Sequence, residues 1–191
     1  MNVESLSLPP DWKISRIAEA FDFTKKPRSL DLGKNESEIP FFPMEQVPLG
    51  KIHVSDYTLK PIANLGSGTY VENGDLMVAK ITPSFENGKQ GIVDIESDFA
   101  YATTEVIPVR SRPILSDTLF LFFYLLHPEV RSDLAGKMEG STGRQRLSKT
   151  VLGEHLIPLP PLLSKRKSRT FFRQCSGQLK RRSGLFRPRP N

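Results

Sequence analysis

The sequence predicts a mixed α+β fold, many short strands with a few helices, and three observations predict it. Between Ile39 and Val109 the apolar runs are short and broken by Pro, Gly and two Asn-Gly pairs, the punctuation of strands and turns. At Ser116 the texture changes: SDTLFLFFYLLHPEVRSDLAGKM holds an apolar stretch of helical length. After a Gly/Ser/Thr-rich interval, Val151, Leu152, Leu156 and Ile157 return to the core and the prolines from Pro158 to Pro161 close it.

Each element follows in order. Residues 8 to 20, LPPDWKISRIAEA, form a lead-in: Pro9-Pro10 block regular structure, Asp11 is placed to cap a helical turn, and Trp12, Ile14 and Ile17 supply apolar anchors. Residues 22 to 38 are polar and charged and read as a loop. IPFFPMEQV (39 to 47) suits an edge strand or a buried extended segment. Leu49 to Tyr70, with Gly50, Gly66 and Gly68, reads as turns and short strands. VENGDLMVAKI gives a turn at Asn73-Gly74 and then a strand. FAYATTEVIPV (99 to 109) is again β-rich, with Thr103 and Thr104 as structural residues at a strand border. Ser116 is the expected N-cap of the long helix, and Pro128 interrupts before a second helical turn.

Bulk properties bound the class. The chain has 191 residues, 38% hydrophobic and 25% charged, which suits one domain of ordinary size plus a smaller segment. The longest apolar run, Leu119 to Leu126, is too short to span a membrane. MNVESLSLPPDW has neither a basic n-region nor an apolar h-region, so a cytoplasmic protein is expected. The single cysteine, Cys175, excludes an internal disulfide, and His53, His127 and His155 lack metal-ligand spacing, so no metal and no cofactor are expected. The formal net charge of +6 is unevenly spread. Ten of the 27 Lys/Arg and none of the 21 Asp/Glu lie between Ser164 and Asn191, which leaves 17 basic against 21 acidic side chains elsewhere, a net −4. Global charge therefore says nothing about nucleic-acid binding by the body, and local patches must carry that argument.

Six stretches occur in order: IPFFPMEQV, GDLMVAKITPSFENGKQGIV, ATTEV, the LFLFFYLL helix, MEGSTGRQRLS and HLIPLPPL. Together, over Leu8 to Leu162, they resemble the target-recognition domain of Type I restriction-modification specificity subunits. The resemblance implies a curled, mixed β-sheet domain over 1–162 that reads a half-site in double-stranded DNA and catalyses nothing. It also implies methyltransferase and restriction subunits as partners, no membrane, and two recognition domains joined by antiparallel spacer helices. This chain departs from that pattern: one recognition domain is present, and an irregular basic tail, 163–191, stands where the spacer helix belongs. Any homodimer would therefore be weakened. A second reading is a vestigial interaction module that docks on a methyltransferase without reading DNA.

The tail reads as out of frame. The family helix begins in the manner A-E-Q-x-x-I-A, whereas here LLSKRKSRTFFRQCSGQLKRRSGLFRPRPN has no amphipathic period. Shifting each codon by one base permits Ala at Leu163, Gln or Glu at Ser164 and Lys165, Ile or Val at Ser168 and Ala at Arg169. One reading that the shifted frame permits is an amphipathic helix, and a truncated or frameshifted product is the expectation. The competing reading is a basic tail that grips phosphates.

Two stretches carry candidate DNA contacts. ITPSFENGKQGIV is a polar excursion between strands in which Lys80, Thr82, Ser84, Asn87 and Lys89 offer donors and acceptors; Asn suits adenine, and Lys suits guanine or phosphate. Its bland counterpart is a hairpin end whose Asn87-Gly88 supplies a positive φ. Gly140 to Lys149 is read as a flexible loop carrying Arg144, Arg146 and Lys149, with a merely solvated loop as the alternative. The aromatics Phe41, Phe42, Phe120, Phe122, Phe123 and Tyr124 are assigned to the core or a subunit contact. Enzyme signatures are lacking. The Pro-Pro pairs at Pro9-Pro10 and Pro160-Pro161 do not form an Asn/Asp-Pro-Pro-Tyr tetrad, and Glu86 with Lys89 has the wrong gap for a nuclease Glu-x-Lys.

Overall fold

Alternation of side chains along the strands decides which layer each strand joins. A computed structural model describes residues 8–30, 38–141 and 143–161. In chain order the elements are β1 (Lys13–Arg16), α1 (Ile17–Ala20), β2 (Phe21–Phe23), β3 (Glu38–Phe42), β4 (His53–Val54), β5 (Thr58–Pro61), a 3-10 turn (Ile62–Asn64), β6 (Thr69–Glu72), β7 (Leu76–Ala79), β8 (Gln90–Val93), β9 (Phe99–Ala102), β10 (Val106–Ser111), α2 (Thr118–Leu126), α3 (Pro128–Ala135), β11 (Glu139–Ser141), β12 (Arg144–Arg146), α4 (Lys149–Glu154) and β13 (Leu156–Leu159). The fold is α+β, as the short runs and the late helices predict.

Five strands form one sheet in the order β2-β10-β7-β8-β4, and four form another in the order β5-β3-β9-β6. Both are mixed, because β4–β8 and β3–β9 pair parallel while their other neighbours pair antiparallel. Neither sheet closes into a barrel. Two ribbons, β1–β13 and β11–β12, complete the pairing.

The layers follow from period two. Leu76, Val78, Ile107 and Val109 face Phe120, Leu121, Tyr124, Val130 and Leu134 of α2 and α3. Their neighbours Met77, Val93 and Val106 turn the other way, onto Phe42, Val71, Ala100 and Ala102 of the second sheet. The far face of that sheet carries Ile39, Phe41, Tyr70 and Tyr101 around Leu65. Strand β7 is thus buried on both faces, which is why it reads as an unbroken apolar run. Each fully buried Leu, Val, Ile, Met or Phe among them contributes roughly 1.5–3 kcal/mol by leaving water.

One buried charge lies between the sheets' turns. Asp75 is fully buried; its Oδ1 accepts from Arg110 Nε at 2.8 Å and its Oδ2 from the Glu72 backbone N–H at 2.8 Å. Arg110 also pairs with the Glu72 carboxylate. Burial pushes the Asp75 carboxyl up, and the Glu72 amide and Arg110 oppose it.

Several local expectations change. Asp11 lies in a turn that closes with Trp12 N–H to Pro9 C=O, and the chain then enters β1; the helix begins only at Ile17, where Glu19 accepts from the Arg16 N–H at 3.0 Å. Ile14 is 42% exposed, because β1 is one strand of a two-stranded ribbon with an open face. Strand β3 lies between β5 and β9, so 39 to 42 is the buried extended segment and not an edge. The expected loop at 22 to 38 gives up Asp22 and Phe23 to β2 and Glu38 to β3; residues 31–37 lie outside the described residues. The cap of α2 is Asp117, whose side chain accepts from Phe120 N–H at 2.9 Å. Ser116 is buried and otherwise engaged, donating to Ala20 C=O at 2.6 Å and accepting from Arg112 N–H at 2.9 Å. The basic tail, 163–191, lies outside the described residues.

Candidate nucleic-acid interface

The excursion after β7 is a tight coil. Phe85 N–H donates to Ile81 C=O, Asn87 N–H to Pro83 C=O, Gly88 N–H to Phe85 C=O and Lys89 N–H to Ser84 C=O, all at 2.8–2.9 Å. Phe85 is the anchor, 4% exposed in the helix-side core. The Thr82–Pro83 peptide is cis, and Gly88 sits at φ +82. The exit is pinned as well, since Gln90 Nε2 donates to Phe122 C=O at 2.6 Å. The backbone that carries Ser84, Glu86 and Asn87 is therefore braced at both ends. Glu86 and Asn87 are exposed and Ser84 is half-buried.

Gly140 to Lys149 is not a floppy loop. Glu139–Ser141 and Arg144–Arg146 pair as a ribbon, with Gly140 and Gly143 at φ +132 and +79. A Cβ at Gly140 would lie 2.5 Å from Arg144 O, so the close approach of the two strands requires glycine there. Ser148 then caps α4, accepting from Val151 N–H at 3.1 Å.

The two stretches, far apart in sequence, join edge to edge. Ile81 and Arg146 form an antiparallel bridge, Thr82 N–H donates to Gln145 C=O at 3.1 Å, and Leu147 N–H donates to Lys80 C=O at 2.7 Å. Arg146 then forks onto Glu105, with Nη2 to Oε1 at 2.9 Å and Nε to Oε2 at 3.2 Å; this hydrogen bonding holds the Glu105 carboxyl below its usual range. The Lys80 N–H donates to Glu105 C=O.

The predicted residues thus fall into distinct settings. Lys80, Arg146 and Lys149 gather where the two stretches join, with Arg146 committed to Glu105, and Arg144 lies two residues before Arg146 in β12. Arg144 is exposed and makes no ion pair with the described residues. Thr82 has a buried Oγ1 with no partner, at the seam. Lys89 reaches away and donates to Met44 C=O at 2.9 Å. Ser84 and Asn87 lie within the coil, where the Ser84 C=O accepts from Lys89 N–H and the Asn87 N–H donates to Pro83 C=O.

Two residues escape the sequence reading. Lys25 follows β2 and joins Lys80 beside Lys149; burial first, then the charges of Lys80 and Lys25, lowers the Lys149 ammonium from its ordinary value. Its signal is the run Lys25-Lys26-Pro27-Arg28. Arg131 of α3 packs under the coil at Gly88 and lines an open cleft of about 350 Å³ with Glu86, Pro128, Ser132 and Ala135. Nothing local in the sequence marks it.

Among the described residues no three His, Cys, Asp or Glu side chains converge as a metal site would require. His155 is buried between Tyr124 Oη, at 3.1 Å, and Asp133, at 3.4 Å, and burial pushes it down toward the neutral form. No helix among the described residues is long and apolar enough to cross a membrane.

Comparison with known proteins bears on the family and the fold. The chain is 27% identical over 157 residues to the Type I restriction enzyme EcoAI specificity subunit of Escherichia coli and 31% over 159 residues to the EcoEI specificity subunit of the same organism. Each match takes in 81% of this chain and 26% of the relative, so the chain spans about a quarter of the length of the curated relatives it matches. Among solved structures, the HsdS subunit from Thermoanaerobacter tengcongensis superposes with a TM-score of 0.60 at 20% identity, over 92% of this chain and 40% of that one. A chain from a type I R-M system assembly gives 0.61 at 21%, over 92% and 41%. These two share the fold. The family model described as the Type I restriction modification DNA specificity domain matches residues 9–178, and the chain belongs to that family.

Proposed function

We propose that this domain reads one half-site of a bipartite target in double-stranded DNA and performs no chemistry itself. It would direct the methyltransferase and restriction subunits of a Type I system to that site, in the cytoplasm. The observation that carries this reading is the seam between residues 80–82 and 145–147. It fuses two basic and polar stretches into one braced surface on a rigid sheet. Sites on rigid elements hold donors in register with base edges better than independent loops do.

Roles divide by setting. Arg144, exposed and without an ion-pair partner among the described residues, and Asn87, exposed, suit base edges: Arg pairs with guanine O6 and N7, Asn with adenine N6 and N7. Lys80 and Lys149 suit phosphates, which fix register without carrying sequence information. Arg146, Thr82, Ser84 and Lys89 act as the frame or at its border. One such module buries only part of a full specific interface, so a second copy or the methyltransferase supplies the rest of the affinity.

Selection from a random duplex library, with and without the methyltransferase subunit, tests the reading. Enrichment of a short motif that disappears in Arg144→Ala supports it. Capture of the methyltransferase with no motif enrichment favours a docking module and rejects the reader.

A further inference from the structure

The five-stranded sheet places two lysines on either side of one strand end. Strand β10 lies between β2 and β7. On one side Thr24 N–H donates to Pro108 C=O, which leads directly into Lys25; on the other Lys80 N–H donates to Glu105 C=O. Two strand spacings across β10 and two residues along it separate Lys25 from Lys80 by about 12 Å, a gap that the flexible stems of two lysines close. The third arrives from the ribbon: Leu147 N–H is bonded to Lys80 C=O at 2.7 Å, and Lys149 follows two residues later at the start of α4. Lys25 and Lys149 are exposed and Lys80 is half-buried.

Neutralisation from within the protein is partial: Glu105 interacts electrostatically with Lys80, and Arg146 competes for the same carboxylate. The carboxylate at this spot is Glu105, and both its oxygens are occupied by Arg146. None of the three lysines forms an ion pair with the described residues. Three like charges held together by three separate backbone elements raise the energy of the unliganded protein unless an anion fills the space between them.

We infer that Lys25, Lys80 and Lys149 form a clamp for a single backbone phosphate of the bound duplex, formed where the end of β10 meets the ribbon. This deepens the proposed function and rests on it. The phosphate fixes the domain's register, and Arg144 and Asn87 are then presented to the bases from a fixed point. The ligand chemistry is a phosphodiester and not a base edge, so the clamp is blind to sequence.

The test uses the full chain with Lys25→Met, Lys80→Met and Lys149→Met, singly and combined, and the Lys→Arg triple as charge-preserving control. Affinity is measured by fluorescence anisotropy across a salt series, on a duplex carrying the selected motif and on a scrambled one. Each single variant is expected to weaken both duplexes by the same several-fold factor. The triple should lose less than the product of the singles, and its slope of log K against log salt should fall by about 1, the release expected for one phosphate. Lys→Arg should keep the wild-type slope, and the Met variants should melt at or above the wild-type temperature, because they remove repulsion. Unchanged slopes, or losses confined to the motif duplex, overturn the clamp and leave the reader standing. Losses that multiply independently, with a slope change near 3, mean three separate phosphates and also overturn it. A shifted slope in a chain that selects no motif keeps the clamp and rejects the sequence reading.

Discussion

The guanidinium of Arg131 lies against the backbone of Gly88 so closely that a Cβ there would sit 2.7 Å from Cζ and Nη1. The coil that carries Asn87 therefore rests on α3, and burial lowers the Arg131 guanidinium from its ordinary value. Gly88→Ala meets two penalties: a methyl at φ +82 and the displaced guanidinium. We expect a loss of roughly 2–3 kcal/mol by urea denaturation. Adding Arg131→Ala should recover part of it. A double variant as destabilised as the sum of the singles would refute the contact.

Removing Arg110 exposes what it compensates. Arg110→Met leaves Asp75 buried beside Glu72 with its cation gone, and we expect a loss of about 3–5 kcal/mol at neutral pH. The pH dependence has a definite sign. The folded-state pKa of Asp75 is raised above its unfolded value, so the protonated group favours the folded state. That contribution is present at low pH and is lost as pH rises through the folded value. Without Arg110 the shift grows, and the variant's deficit should shrink as pH is lowered from 7 to 5. Urea midpoints at the two pH values, for variant and wild type, check this.

The two residues at the start of α2 should rank in an order that cap propensity alone would not give. Asp117→Ala removes one cap bond and is expected to cost about 1 kcal/mol. Ser116→Ala strands the buried Ala20 carbonyl and the Arg112 amide together, and is expected to cost roughly 1–3 kcal/mol. Thermal melts of the pair decide it; a larger loss at Asp117 would return the cap's primacy to local sequence.

Base-facing and phosphate-facing substitutions should separate in the selected motif. Arg144→Ala or Asn87→Ala is expected to relax preference at one position, by about 1–3 kcal/mol of discrimination. Repeating the library selection on each variant reads this directly. A uniform loss across all sequences would move that residue from the bases to the backbone.

Legibility follows the range of the interactions. The Asn73-Gly74 turn, with Gly74 at φ +87, the strand at Leu76–Ala79 and the apolar helix were readable because each is fixed by residues within a few positions. Lys13–Arg16 was not, because its strand state depends on pairing with Leu156–Leu159 at the other end of the chain. The same holds for the site. Lys80, Arg144 and Lys149 announce themselves as basic residues in polar stretches. That Arg146 is occupied by Glu105, that Lys89 turns to Met44 and that Lys25 joins the cluster are facts of tertiary pairing.

The β1–β13 ribbon sets Lys13 opposite Leu159, so the polypeptide arrives and departs through one doorway. A body hung on such a doorway is a cassette. We expect that it can be set into another chain with short splices, because the two ends of the pairing lie side by side. Transplanting residues 8–161 into a surface turn of an unrelated carrier should give a fusion in which both parts melt at their own temperatures.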